Sequence, residues 1–319
     1  MQVNHTKKLV SNLKRATVIR GKWNGTKYHV IHKLGEGACG VVYLCERNGI
    51  ETALKLGTDS ARITTEVNVL KSFQRVQGKR LGPSLLDVDD WVTPGGITLP
   101  FYVMEYVKGQ ELATFLHGKG SEWLGVLLLQ LLMDLGNLHE SGWVFGDLKT
   151  DNLLVTSPPP RLRLIDVGGT TQIGRAIKEY TEFYDRGYWL KGSRKAEPSY
   201  DLFAVTMIML EVGGRGRFER GSDPRQTLER KLQQATALKP FTPLINNVWA
   251  GNYQNGLEMR EDLVNLLQRR PEPKKRNMPV STRTSRRKKT KKTSFATFEI
   301  GAIFVSVIIF YLIYMLFFL

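Results

Sequence analysis

Phe145-Gly146-Asp147-Leu148-Lys149-Thr150-Asp151-Asn152 is followed, after a gap about the length of a hairpin, by Ile165-Asp166-Val167-Gly168. Together they supply an acid that can accept a hydroxyl proton, a lysine two residues on, an amide five residues on and a second acid. That set is suited to phosphoryl transfer, which needs a nucleophile, two magnesium ions and a γ-phosphate held in line.

Chemistry of this kind also needs a phosphate cover and a fixed cation, and both precede it. Leu34-Gly35-Glu36-Gly37-Ala38-Cys39-Gly40-Val41-Val42-Tyr43 is rich in glycine and continues as an alternating, β-branched run, which favours a strand. A dinucleotide-binding loop would lead into a helix, whereas Arg47-Asn48-Gly49 predicts a tight hairpin turn into Ile50 to Leu56. The glycines therefore cover phosphates from above, and Lys55 in Thr52-Ala53-Leu54-Lys55 becomes the clamp on the α- and β-phosphates. Leu127, Leu128, Leu131, Leu132, Leu135 and Leu138 fall at helical spacing and predict a scaffold helix ahead of Asp147. His139 closes that helix in a core or capping role, and the other four histidines have no partners at metal-ligand spacing.

These motifs, in this order, resemble the eukaryotic-like (Hanks-type) Ser/Thr protein kinases over residues 28–268. The resemblance implies an α+β, bilobal fold with a small antiparallel-sheet lobe, a larger helical lobe and ATP between them. It also implies ATP contacts from Leu34, Gly35, Glu36, Gly37, Ala38, Cys39, Gly40, Val41, Val42 and Lys55, with Glu66 as the helix partner of Lys55. The short Lys55 to Glu66 spacing predicts a helix that enters early. Phe101 to Gly109 resembles the hinge, with Met104 as gatekeeper and backbone at Glu105 and Val107 reading adenine; Glu111 fits either a ribose or substrate contact or a solvated helix start. Asp147 is implied as catalytic base, Lys149 as its partner toward the γ-phosphate, and Asn152 and Asp166 as ligands of Mg2+ or Mn2+. Thr181-Glu182-Phe183-Tyr184 matches the substrate-binding stretch, and Asp201 matches the aspartate opening the next helix. The anchoring glutamate expected next is missing; Tyr188 sets the register and Glu197 is expected to be a decoy.

Two departures stand out. Phe145-Gly146 replaces His-Arg and Val167 replaces Phe, without loss of a phosphate or metal ligand. In the family, that arginine couples segment phosphorylation to activity. Its absence implies that such phosphorylation is not an obligatory switch, while Phe145 and Val167 read as packing changes. Gly146-Asp147-Leu148 also suits small-molecule kinases acting on aminoglycosides or choline, the alternative enzyme reading. A third reading is a membrane-bound pseudokinase binding module.

The formal charge of +16 is uneven. Residues 1–33 hold eight Lys or Arg and no acid, residues 269–292 hold twelve and one acid, and residues 34–268 sum to −2. The chain thus divides into a basic extension (1–27), a kinase domain (28–268), a basic disordered linker (269–294) and an anchor (295–319). Ile300 to Leu319 is twenty residues without formal charge, fourteen of them Ile, Leu, Val or Phe. That length predicts one transmembrane helix, worth roughly 4–8 kcal/mol before polar costs. With the basic flank ahead of it and no N-terminal apolar segment, a tail anchor with the catalytic domain in the cytoplasm is expected. Cys39 and Cys45 form no disulfide framework or zinc pattern and suit a reducing compartment.

The linker is either a solvated tether or a ligand for anionic lipid, DNA phosphates or both. Autophosphorylation, with self-association, is expected at Thr170, Thr171 or Thr181, or at Ser281, Thr282, Thr284 and Ser285 in the linker, where each phosphate would weaken those attractions. The whole arrangement resembles short, tail-anchored kinases of spore-forming bacteria acting on protein substrates.

Overall fold

The computed structural model describes residues 10–37, 40–75 and 82–268. Ala38, Cys39, the linker with its Ser and Thr candidates, and the expected anchor lie outside the described residues.

Alternating apolar residues and short turns build the small lobe. Strands β1 (Val18–Arg20), β2 (Lys27–Gly37), β3 (Gly40–Arg47), β4 (Ile50–Leu56), β5 (Leu85–Val92) and β6 (Thr98–Glu105) form an antiparallel sheet in the order β1-β2-β3-β4-β6-β5. The β3–β4 turn is Asn48-Gly49, with φ of 51° and 77°. Positive φ at both positions matches the twist of the strands, as expected from Asn-Gly. Tyr28, Tyr43, Leu54, Leu56, Phe101 and Val103 bury together on one face. Val10 joins them, and Tyr43 donates to its carbonyl at 2.6 Å. Residues 10–27, read above as part of an extension, thus pack against the small lobe.

Helix α1 (Ser60–Arg75) starts four residues beyond β4, where the Asp59 carboxylate accepts the Ala61 N–H at 2.9 Å and the Arg62 N–H at 3.3 Å. This early capped start is how Glu66 reaches Lys55 across so short a stretch of chain.

The large lobe opens with β7 (Gln110–Glu111), α2 (Leu112–Leu116) and α3 (Ser121–Glu140). All six leucines predicted for the scaffold face of α3 are buried. Short strands β8 (Trp143–Val144), β9 (Leu153–Thr156), β10 (Arg161–Leu164) and β11 (Thr171–Gln172) frame the catalytic loop. They are followed by α4 (Pro198–Gly214), α5 (Pro224–Gln234), α6 (Thr242–Ala250) and α7 (Gly256–Gln268). Every residue of α4 from Tyr200 to Leu210 is buried, so this helix is the centre of the lobe. Gly136 of α3 lets α7 approach, since a Cβ there would lie 2.5 Å from a Leu257 methyl. The architecture is the expected small sheet lobe and helical lobe. Among the described residues no helix is long and apolar enough to cross a membrane.

Candidate active site

Strand register points Lys55 inward. Lys55 pairs with Val42 on one side and Tyr102 on the other. Its Nζ lies 2.7 Å from Glu66 Oε2 and 3.6 Å from Asp166 Oδ1. The Lys55 and Glu66 side chains are only 6 % and 3 % exposed. Tyr102 donates to the same Glu66 oxygen at 2.7 Å. Two charges withdrawn from water need such added hydrogen bonds to offset desolvation. Tyr102 is a positioning residue that no sequence motif marks. Its only sequence signal is its place on the strand beside β4.

Above this pair, Gly40 has φ of 149°, and a Cβ there would meet the Leu56 carbonyl at 2.4 Å. The loop must therefore be glycine where it crosses β4. A Cβ at Gly35 or Gly37 would meet nothing within 4 Å, which keeps the loop open around any phosphate it covers.

The catalytic loop hangs on a buried carboxylate. Asp201 accepts the Phe145 N–H at 2.7 Å and the Gly146 N–H at 2.9 Å. His139 Nε2 lies 3.0 Å from Asp201, and the Gly256 N–H donates to Nδ1 at 3.3 Å. With Nδ1 accepting, the ring proton is on Nε2 and donates to Asp201, so His139 is a structural post. Gly146 has φ of 82°, and a Cβ would lie 2.4 Å from the Gly169 carbonyl, so the chain packs backbone where an arginine stem would stand. Phe145 and Val167 are 1 % and 2 % exposed within one core, as expected of packing changes.

Asp147 is held from several sides. Lys149 Nζ bonds Oδ2, and the Thr181 hydroxyl donates to Oδ1 at 3.1 Å while accepting from Lys149 at 3.3 Å. Asn152 Nδ2 donates to the Asp147 carbonyl at 2.9 Å, and the Ile165 N–H donates to the Asn152 carbonyl at 3.0 Å, placing Asp166 beside it. With its amide nitrogen engaged, Asn152 has its side-chain oxygen left for a cation. Asp166 accepts from the Gly168 N–H at 3.0 Å through Oδ1, and its side chain is half exposed. One amide and one carboxylate oxygen fit a hard divalent ion. Among the described residues no group of three His, Cys, Asp or Glu could hold a metal alone. Phosphate oxygens and water would have to complete the shell.

The backbone N–H of Glu105 is taken by the Ser84 carbonyl at 2.8 Å, and its carboxylate takes Arg163 at 3.1 and 3.2 Å. Burial alone would raise the Glu105 pKa, but the hydrogen bonds from Arg163 and Ser84 hold it below the usual carboxylate range. Val107 is buried and Glu111 is exposed with no capping bond.

The segment after Asp166 is tied down without the family arginine. β11 pairs with β8, and Glu179 bonds Arg62 of α1 at 3.1 Å. Thr170 is 7 % exposed with an unpartnered hydroxyl, Thr171 donates to the Gly169 carbonyl at 2.9 Å, and Thr181 is bonded to Asp147. Phosphorylation at Thr170 would need the segment to open. Glu197 is not a decoy. It accepts from Arg186 at 2.9 Å and from Lys195 at 3.3 Å. Arg186, 6 % exposed, also reaches the Ser193 and Lys195 carbonyls and Ser199. The intervening chain folds back through the Leu190 N–H to Gly187 and Lys191 N–H to Arg186 carbonyl bonds, so residues eleven apart in sequence meet. Distance along the chain had hidden this anchor. Beside it, fully buried Asp185 receives Arg194 and Tyr200.

A protein kinase domain model matches residues 28–278. This chain belongs to the protein kinase family. It is 46 % identical to the serine/threonine-protein kinase YabT of Bacillus subtilis over 98 % of this chain and 97 % of that one. It is 31 % identical to human calcium/calmodulin-dependent protein kinase type IV over 57 % of this chain and 39 % of that one. It is 29 % identical to rice cyclin-dependent kinase G-2 over 67 % and 31 %. The kinase is thus a Hanks-type protein-serine/threonine kinase, a family that uses ATP with a divalent metal. This sets aside the small-molecule kinase and pseudokinase readings.

Proposed function

We propose that this Ser/Thr kinase transfers the γ-phosphate of Mg-ATP to protein hydroxyls at the cytoplasmic face of a membrane, to which its tail anchors it. The observation that supports the chemistry is the pair of linked clusters, Lys55–Glu66–Asp166 and Asp147–Lys149–Thr181. Lys55 would hold the α- and β-phosphates, Glu105 and Val107 backbone would read adenine, and Asn152 and Asp166 would hold Mg2+ or Mn2+. The metal would supply charge neutralisation on the phosphates. Asp147 accepts the proton of the acceptor hydroxyl, and Lys149 on Oδ2 and Thr181 on Oδ1 orient its carboxylate. The twelve Lys or Arg of residues 269–292 would attract anionic lipid headgroups or DNA phosphates and so cluster or activate the enzyme.

Phosphotransfer from labelled ATP to a generic basic protein by the full-length kinase, with and without duplex DNA or anionic vesicles, tests both halves. Loss in Asp147→Asn is expected. Transfer that survives this substitution would remove Asp147 from the mechanism. Unchanged rates on adding either polyanion would remove the regulatory half.

A further inference from the structure

We propose that Arg217 occupies from within a basic-residue subsite beside the acceptor hydroxyl, and so turns the kinase away from substrates with a neighbouring arginine. The inference rests on Asp147 marking that hydroxyl's seat. Lys149 is followed by a turn of 3-10 helix, Thr150–Asn152, whose Asp151 carboxylate is 57 % exposed. Glu211 reaches the same surface from α4, and Thr150 donates to its Oε2 at 3.1 Å. Tyr184, three residues beyond Thr181, donates to that oxygen and meets the Thr150 hydroxyl at 2.9 Å. The catalytic loop, the segment that touches Asp147 and the central helix thus converge on two carboxylates.

Such a pair, next to where a peptide must lie, would attract a cationic side chain. Here the chain supplies its own. Arg217 lies just past α4, where the capping residue Arg215 turns the backbone at φ of 63°. It donates through Nε to Glu211 Oε1 at 3.0 Å and through Nη2 to Asp151, with its guanidinium over the Tyr184 ring at 5.2 Å. Both acids, the Tyr184 face and the fork geometry that arginine prefers are used internally. Arg217 remains 41 % exposed, so it lies at the surface that a peptide would cover.

The test is an array of serine peptides in which one arginine is walked through each position flanking the acceptor, compared with glutamine at the same position. The readout is the arginine-to-glutamine ratio of kcat/KM within each enzyme, which a uniform loss of activity does not move. In the full-length wild type no position is expected to favour arginine. In Arg217→Ala and Arg217→Gln, one position should gain about tenfold through a lower KM, and Asp151→Asn added to either should remove the gain. Ratios unchanged in both variants, or a wild type that already favours arginine as strongly, would overturn the proposal. If Asp147→Asn transfers as fast as wild type, the seat is misplaced and the proposal fails with it, a result separable from unchanged ratios.

Discussion

Lys55 and Glu66 are legible in sequence as a motif lysine and a helical glutamate, but what holds them is Tyr102. A buried carboxylate that loses one donor retains its desolvation cost, about 1.5–3 kcal/mol for a bond to a charged group. Tyr102→Phe should therefore lower thermal stability and raise the KM for ATP, because Glu66 then holds Lys55 less firmly. Calorimetry and phosphotransfer kinetics measure the two effects, and an unchanged KM would confine Tyr102 to packing. At Asp147, removal of the general base in Asp147→Asn should cost about 10²–10⁴ in kcat. Thr181→Ala should cost less, since Thr181 orients the carboxylate and takes no proton, and Thr181→Ser should restore most of the loss. The Phe145-Gly146 departure also acquires a local cause. Its glycine is dictated by a left-handed backbone against Gly169, which no spacing argument could reveal.

Between elements, two ion pairs hold the catalytic frame together. Glu105 ends β6 and bonds Arg163 on β10, so it joins the lobes at the hinge. Its folded pKa is depressed, so its contribution to stability is fully present above the ordinary glutamate pKa of about 4.3 and is lost as pH falls below it. Glu105→Gln should flatten that acid limb in unfolding midpoints measured from pH 6 to pH 3, values chosen to bracket a carboxylate titration. The second pair, Arg62–Glu179, links α1 to the segment with side chains 48 % and 36 % exposed. Its stability contribution is small, about 0–1 kcal/mol, yet it ties the helix that carries Glu66 to the segment. Arg62→Glu and Glu179→Arg should each lower kcat, and the double swap should recover it; a double mutant no better than either single would dismiss the link. Helix α3 and the β3–β4 turn were readable because period and Asn-Gly chemistry act locally. Arg186–Glu197 and Arg62–Glu179 were not, because each depends on a chain reversal set by tertiary packing.

Across the whole molecule, charge separates two tasks. The residues around ATP and the acceptor sum to near neutrality within 34–268, while the linker 269–292 carries twelve cations and the next apolar run none. With residues 34–268 near neutral, attraction to polyanions falls to the two basic flanks, eight cations in residues 1–33 and twelve in the linker, and the run of twenty uncharged residues would add an insertion energy that salt does not screen. The two contributions can be separated. The full-length kinase should remain with the membrane fraction in high salt. A chain ended at residue 294 should bind vesicles containing anionic lipid at low salt and leave them at high salt, since each nearby Lys or Arg gives about 1 kcal/mol that decays over a Debye length. A chain ended at residue 268, which keeps the eight cations of residues 1–33, should leave neutral vesicles alone and bind anionic ones more weakly than the chain ended at 294. Flotation of the three proteins with neutral and anionic vesicles reads this directly. If the chain ended at 294 ignores anionic lipid while still binding duplex DNA with steep salt dependence, the linker serves nucleic acid and the final apolar run alone accounts for the membrane.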